Sequence, residues 1–204
     1  MELHGRSLTL RYANADDAAA LFELGSDPEV TQFFSWGPYT SQSEPRAYIA
    51  GLAEQRRRGE RLEFLIVSRD GEPVGVTGLS EISRRDRRAV VGTWLGRAHW
   101  GTGANRESKA LIAYLAFAVL GLERLGAYAN LDNPRSHAAL ERVGFLREGV
   151  LRRWHRHGDE VHDVIVWSWL KQEWARSPLV REPVAVRGHP PSSFQPLTHG
   201  AAPS

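Results

Sequence analysis

A chain of 204 residues, 42% hydrophobic and 25% charged, can bury one sizeable core, so one globular domain is expected rather than two. It contains no cysteine, which excludes a disulfide framework, a thiolate zinc site and a cysteine nucleophile. The net charge is only +2, and the clusters Arg56-Arg57-Arg58, Arg84-Arg85-Asp86-Arg87-Arg88 and Arg152-Arg153 are interleaved with acids, so solvated surface is the first reading and a nucleic-acid groove the second.

In chain order, Met1 to Arg6 lacks the apolar core of a signal peptide and no run reaches membrane-spanning length; the expectation is a cytoplasmic protein with no membrane partner. Leu8 to Tyr12 reads as a strand. Asn14-Ala15-Asp16-Asp17 supplies a helix start before Ala18, Leu21, Phe22 and Leu24, and a second helix is expected from about Ser43 through Tyr48, Ile49 and Leu52 to the arginine triplet. Between them, Phe33-Phe34-Ser35-Trp36-Gly37-Pro38-Tyr39 is aromatic and turn-forming. Either its rings pack on the core, or it is a lid whose Trp36 and Tyr39 face a substrate.

Glu63 to Ser68 is strand-like, Arg69-Asp70-Gly71-Glu72 is a hairpin turn, and Pro73 to Leu79 returns as the next strand. Residues 88 to 95 alternate, with Val91, Thr93 and Leu95 on one face and Val90, Gly92 and Trp94 on the other. After a long helix come a strand from Arg124 to Asn130, a helix from about Pro134 to Val143, and a hairpin. Its arms are Gly149 to Arg156 and Val161 to Leu170, around His157-Gly158-Asp159. The pattern predicts an α+β fold with about seven strands, largely antiparallel, and about four helices. From Ser177 onward prolines recur and large apolar residues are few, so residues 1–176 are read as the domain and 177–204 as a flexible tail.

The most informative stretch is Trp94-Leu95-Gly96-Arg97-Ala98-His99-Trp100-Gly101-Thr102-Gly103-Ala104-Asn105, a strand, a glycine-bearing loop and a helix start. Leu111, Tyr114, Leu115 and Ala118 recur at helical spacing, which places the helix start near Thr102 to Asn105. Glycines at 101 and 103 leave room for close approach, and a helix N-terminus favours an anion. The plainer alternative is a turn with a cap. A dinucleotide fingerprint would need a third glycine where Arg106 stands, and a nucleotide P-loop would need Gly-Lys-Ser/Thr, whereas the nearby Lys109 lies inside the helix.

Four pieces in this order resemble the GCN5-related N-acetyltransferase (GNAT) superfamily, and within it the RimJ/RimL-like branch of ribosomal-protein N-terminal acetyltransferases. They are Gly92-Thr93-Trp94-Leu95-Gly96, Trp100-Gly101-Thr102-Gly103-Ala104-Asn105, Asp132-Asn133-Pro134-Arg135-Ser136 and Leu140-Glu141-Arg142-Val143-Gly144-Phe145. The resemblance spans residues 5 to 174 and implies a sheet splayed between the fourth and fifth of the strands above, with helices on both faces. It implies acetyl-CoA as cosubstrate. Leu95 would pair its backbone with the pantetheine arm, the amides of residues 101 to 105, with Trp100 beside them, would hold the pyrophosphate, Asn133 would bond the pantetheine, and Arg135 would reach a phosphate. Asn133 could instead serve as a helix cap, and Arg135 as one more solvated arginine. Dimers are common in that superfamily, so the resemblance also admits a homodimer.

Acyl transfer needs an unprotonated nucleophile, stabilisation of the oxyanion and support for the leaving thiolate. A backbone NH near Leu95 is the expected oxyanion donor. Many superfamily members carry a tyrosine where Leu140 stands here, and a glutamate where Val90 stands. Ser136 is then the candidate to support the thiolate and Glu81 the candidate base, each with a bland alternative: a first-turn serine bonded to backbone, and a surface carboxylate. An α-amine titrates near pH 8, lysine near 10.4, so a protein or peptide N-terminus is the first acceptor to expect. A small-molecule amine, antibiotic or polyamine, is the alternative, and a CoA-binding module without turnover a third reading. His155, His157 and His162 with Asp159 or Asp163 could bind zinc, but a polar hairpin places such residues together by chance, and no metal is assigned.

Overall fold

The computed structural model describes residues 1–195. In chain order its main elements are β1 (Glu2–His4), β2 (Leu8–Arg11), α1 (Ala18–Gly25), α2 (Pro28–Thr31), α3 (Ser43–Arg58), β3 (Leu62–Ser68), β4 (Pro73–Ser83), β5 (Arg88–Leu95) and α4 (Ala104–Tyr114), which continues as a π turn over Leu115–Val119. There follow β6 (Arg124–Asn130), α5 (Pro134–Val143), β7 (Leu146–His157), β8 (Glu160–Leu170), α6 (Lys171–Trp174) and β9 (Ala185–Arg187). The nine strands form one sheet in the order β7-β8-β6-β5-β4-β3-β2-β1-β9. The expected strands and helices are all present; β1, β9, α2 and α6 are additions of three or four residues each, too short to show a period.

Neighbouring strands are antiparallel except β5 and β6. That parallel pair is in register only at Arg88↔Arg124, Ala89↔Leu125 and Val90↔Gly126. Beyond it β5 stays with β4 as far as Leu95↔Gly75, and β6 stays with β8 as far as Asn130↔Val164. The inner edges from Val91 and Ala127 onward therefore diverge, and the splay implied by the resemblance lies here.

Helices α4 and α5 cover one face, where Ile112, Ala113, Phe117, Leu140 and Val143 pack on Val91, Leu125, Trp167 and Trp169 in the larger core. Helices α1 and α3 cover part of the other face through a smaller cluster of Ala18, Leu21, Ile49, Leu65, Val67 and Val76. The boundaries of α5 follow from its sequence. Asn133 accepts the Ser136 NH at 3.0 Å as N-cap, Pro134 opens the first turn, and Gly144 closes the helix at φ +109°; a left-handed stop of this kind favours glycine.

The flexible-tail reading of 177–204 does not hold over residues 177–195; residues 196–204 lie outside the described ones. After a short turn at Pro178–Arg181, β9 pairs with β1, and Leu179 and Phe194 are buried at 5% and 3% exposure. Ser193 donates to the Arg56 carbonyl at 2.9 Å. Sequence composition counts how many apolar residues a segment has, not whether a hydrophobic surface and a free strand edge await them. Here β9 covers the open edge of β1, which a sheet otherwise exposes. Replacing Phe194 by alanine should accordingly cost about 3 kcal/mol or more of stability, seen as a lower urea midpoint at unchanged slope; a change within 0.5 kcal/mol, the ordinary range for a surface position, would return the segment to a tail.

Candidate active site

The splay fixes the site. Gly96 donates its NH to the Val74 carbonyl of β4 at 2.9 Å, and alternation along the strand then turns the backbone groups of Thr93 and Leu95 toward the gap. The Leu95 carbonyl is already taken: the Trp100 indole Nε1 donates to it at 2.9 Å. Its NH is left facing the gap. Trp100, expected to touch the cofactor, thus also closes the top of β5, and the Arg135 guanidinium lies over its ring at 3.3 Å from the centroid. That contact ties α5 to the loop ahead of α4.

The loop itself is open. Gly101 and Gly103 take φ of +74° and +94°, and a Cβ on either would meet no atom within 4 Å. The first amide bonded into α4 is that of Glu107, which donates to Gly103 O at 3.1 Å. Among the described residues the amides of Gly101, Thr102, Gly103 and Asn105 donate to no protein acceptor, and that of Ala104 reaches only the Thr102 hydroxyl at 3.4 Å. The Thr102 hydroxyl donates to the His99 carbonyl at 2.8 Å and so shapes the loop from within. A row of free amides at a helix N-terminus is an anion cradle.

At the open end, Asn133 is buried and uses Oδ1 as the α5 cap. The cap role is therefore filled, and its side-chain NH2 remains unbonded among the described residues. Ser136 is half-buried, its NH held by Asn133 and its hydroxyl without a partner among the described residues. Glu81 lies at the other end. It follows Ser80, whose partner Val90 is the last residue paired with β6, in a bulge with φ +49°. It is exposed, and the Tyr128 hydroxyl donates to it at 3.4 Å. Ser136 thus stands on the helix that follows the end of β6, whereas Glu81 stands beyond the last β5–β6 pair and bonds to Tyr128, and no hydrogen bond joins the two among the described residues.

Trp36 and Tyr39 stand on the face opposite α4. Trp36 stacks between Phe34 and Tyr39, at 5.4 and 5.0 Å, and meets Trp94 of β5 edge-on at 5.3 Å. The rings thus pack on one another and on Trp94 above β5, which is the packing alternative for this loop. A cavity of about 390 Å³ at the end of β6 is lined by Gln32, Asn130, Asp132, His157, Glu160 and His162; the His157 ring also pairs with the Gln32 carbonyl at 3.2 Å. Among the described residues no three His, Asp or Glu side chains converge to hold a metal, and no helix is long and apolar enough to cross a membrane.

Sequence reading passed over three side chains. Tyr48 of α3 donates to Glu63 of β3 at 2.5 Å, and Lys109 is buried under β5 with Nζ on the Thr93 hydroxyl, which in turn meets Thr77 Oγ1 at 2.6 Å. Lys109 was legible: it falls three residues before Ile112 and seven before Ala116, on the apolar stripe of α4. Glu63 was not, because its role depends on which strands lie beside it.

Unpaired strand edges that diverge beside an anion-binding helix start define an acyltransferase built to hold an acyl-CoA. The profile of the acetyltransferase (GNAT) domain matches residues 7–146, and the chain belongs to that family. The uncharacterized N-acetyltransferase p20 of Bacillus licheniformis is 33% identical over 174 residues, 85% of this chain and 98% of that protein. Spermidine N(1)-acetyltransferase of Escherichia coli is 26% identical over 146 residues, 71% of this chain and 76% of the relative. Among solved structures, RimL, a ribosomal-protein α-N-acetyltransferase in complex with coenzyme A, matches at a TM-score of 0.75 and 26% identity, over 83% of this chain and 98% of the other. The chain is therefore an acetyl-CoA-dependent N-acetyltransferase of RimJ/RimL-like type.

Burial pushes the Lys109 ammonium down to about 7, against about 10.4 for lysine in an unfolded chain. Between those values the unfolded chain holds a proton that the folded chain has released, so stability rises with pH there, by up to about 1.4 kcal/mol per pH unit. Below 7 both states are protonated and the cost of burying the charge is felt in full. Lys109→Met should remove this slope and raise stability near pH 7, as melting at pH 7 and pH 9.5 would show; identical slopes in the two proteins would contradict the shift.

Proposed function

We propose that the protein transfers the acetyl group of acetyl-CoA to the α-amine of a protein or peptide N-terminus by direct attack on the thioester. The observation that carries the reading is the free Leu95 NH at the edge of the gap, next to the open amide row of Gly101 to Asn105. The amides take the pyrophosphate, the Asn133 side-chain NH2 takes a pantetheine carbonyl, and Arg135, already stacked on Trp100 beside the loop, takes a phosphate. The Leu95 NH takes a carbonyl of the pantetheine arm, and the neighbouring gap-facing NH, that of Thr93, donates to the thioester carbonyl and stabilises the oxyanion as charge develops. Ser136, its hydroxyl without a partner among the described residues, donates to the departing thiolate. Trp36 and Tyr39 hold the acceptor backbone, and Glu81, open to water, passes the amine proton out of the site. An α-amine is partly unprotonated near neutrality, whereas a lysine amine is not, so modest base assistance suffices. The cytoplasm, where acetyl-CoA meets newly made N-termini, is the setting of this reading.

A second acceptor class is favoured by one feature. Asp132 and Glu160 both line the cavity at the end of β6, and two carboxylates there suit an acceptor with a further cationic amine, such as a polyamine. A CoA-binding role without turnover has no comparable support.

Incubation with acetyl-CoA and peptides beginning with serine, alanine or methionine should release free thiol faster than incubation with spermidine. Ser136→Ala should lower kcat about tenfold, the size of one lost hydrogen bond to a charged leaving group. Thiol release with spermidine and with none of the peptides would transfer the assignment to the polyamine class, and absence of heat on titration with CoA would end both.

A further inference from the structure

We infer that Glu63, held by Tyr48, is the carboxylate that receives the acceptor amine and takes its proton during attack. The inference rests on the acyl-transfer reading above and names a group which that reading leaves out.

The register of three adjacent strands carries the argument. Glu63 on β3 pairs with Gly78 on β4, and Gly78 pairs with Gly92 on β5, so the three residues form one row across the sheet on the face away from α4. Two glycines in that row leave a bare backbone floor beside the carboxylate. A Cβ added to Gly78 would lie 2.5 Å from Glu63 Cγ, 2.8 Å from Glu63 Cα and 2.9 Å from the Leu62 carbonyl oxygen: β4 closes up on β3 here, and only a glycine leaves room for Glu63 beside it. At Gly92 an added Cβ would meet nothing within 4 Å, and the residue is exposed. The row therefore ends in open space, at the level where β5 has parted from β6, two residues beyond their last paired position.

Gly92 lies next to Thr93, the second of the residues whose backbone faces the gap. An arm entering from the amide cradle and running down β5 past Leu95 brings its thioester to this level, about 10 Å or three strand residues from Leu95. On the acceptor face, the nearest acid to that point along the row is Glu63. Glu81 sits one row further on, beyond Ser80 and Val90, and turns outward to Tyr128.

The surroundings suit a carboxylate that is fixed but still reachable. Tyr48 donates to Oε2 at 2.5 Å, Arg61 lies 3.4 Å from Oε1, and the side chain keeps 14% exposure. Tyr39 of the aromatic loop is the other titratable group facing it; burial first, then Glu44 and Glu63, hold its phenol up to about 12. Burial and Glu63 likewise push the Tyr48 phenol well above its ordinary range, so Tyr48 stays a donor at working pH. In the step itself, the neutral amine nitrogen forms the new C–N bond and the C–S bond breaks with its electron pair on sulfur. The amine proton passes to Glu63 directly or through one water. The thiolate takes up a proton and leaves as CoA, and Glu63 returns its own to solvent.

The test compares wild type, Glu63→Gln, Tyr48→Phe and Glu81→Gln with acetyl-CoA and the serine-initiated peptide or spermidine, over pH 6.5 to 9.5. Calorimetric CoA affinity and melting temperature are recorded for each protein. Glu63→Gln should bind CoA like wild type and lose roughly 100-fold in kcat at pH 7.5, within the range for one general base. The deficit should shrink as the pH rises and hydroxide replaces the base. Tyr48→Phe, which keeps the carboxylate but frees it, should lose less, and Glu81→Gln, which removes only the outlet that carries the proton on to water, should lose less than Glu63→Gln; a larger loss in Glu81→Gln than in Glu63→Gln overturns the inference. A Glu63→Gln enzyme within threefold of wild type at every pH overturns the inference, as does an equal loss at all pH values, which marks a structural role. Independently of turnover, a crystal structure with bound CoA should place the sulfur beside Gly92, within one bridging water of Glu63; a sulfur screened from Glu63 by another side chain overturns it too. Failure of the underlying reading looks different: wild type itself then gives no heat with CoA.

Discussion

Strands β5 and β6 share only the pairs from Arg88↔Arg124 to Val90↔Gly126, and the site follows from where that pairing stops. Each strand remains fully paired on its outer side, so neither can bend back to satisfy the other. Buried backbone donors and acceptors left in this way are costly, and an amide-bearing ligand laid between them supplies the missing bonds in the manner of an added strand. The Trp100 indole satisfies one of these groups, the Leu95 carbonyl, from within the protein, and leaves the Leu95 NH facing the gap.

The same splay assigns the two faces of the sheet different work. Under β5, α4 brings the amide row to the mouth of the gap and presses Lys109 against Thr93. Among the described residues no carboxylate pairs with Lys109, so its burial is met by proton loss and by hydroxyl partners rather than by an ion pair, the cheaper outcome for an isolated buried amine. Above β5, Gly92 is exposed, and among the described residues a β-carbon there would meet no atom within 4 Å. The rings of Phe34, Trp36, Tyr39 and Trp94 pack together on this face, and Glu63, bonded to Tyr48, is in register with Gly78 and Gly92.

The sequence by itself determined the elements that local rules govern. Helix α5 was legible from its Asn133-Pro134 start and Gly144 stop, and the alternation from Val90 to Leu95 already separated Gly92 and Trp94 from Val91 and Thr93. The amide cradle could be read because glycines, loop and helix start are contiguous at 101 to 105. Only the tertiary structure decided what depends on partners distant in the chain: that residues 185 to 187 close the edge of β1, that the Trp100 indole returns to Leu95, that Glu81 turns away to Tyr128, and that Glu63 shares a row with Gly78 and Gly92. Periodicity reports which way a residue points from its own backbone, whereas the neighbours it meets are set by strand order and register, and these are fixed only when the whole sheet assembles.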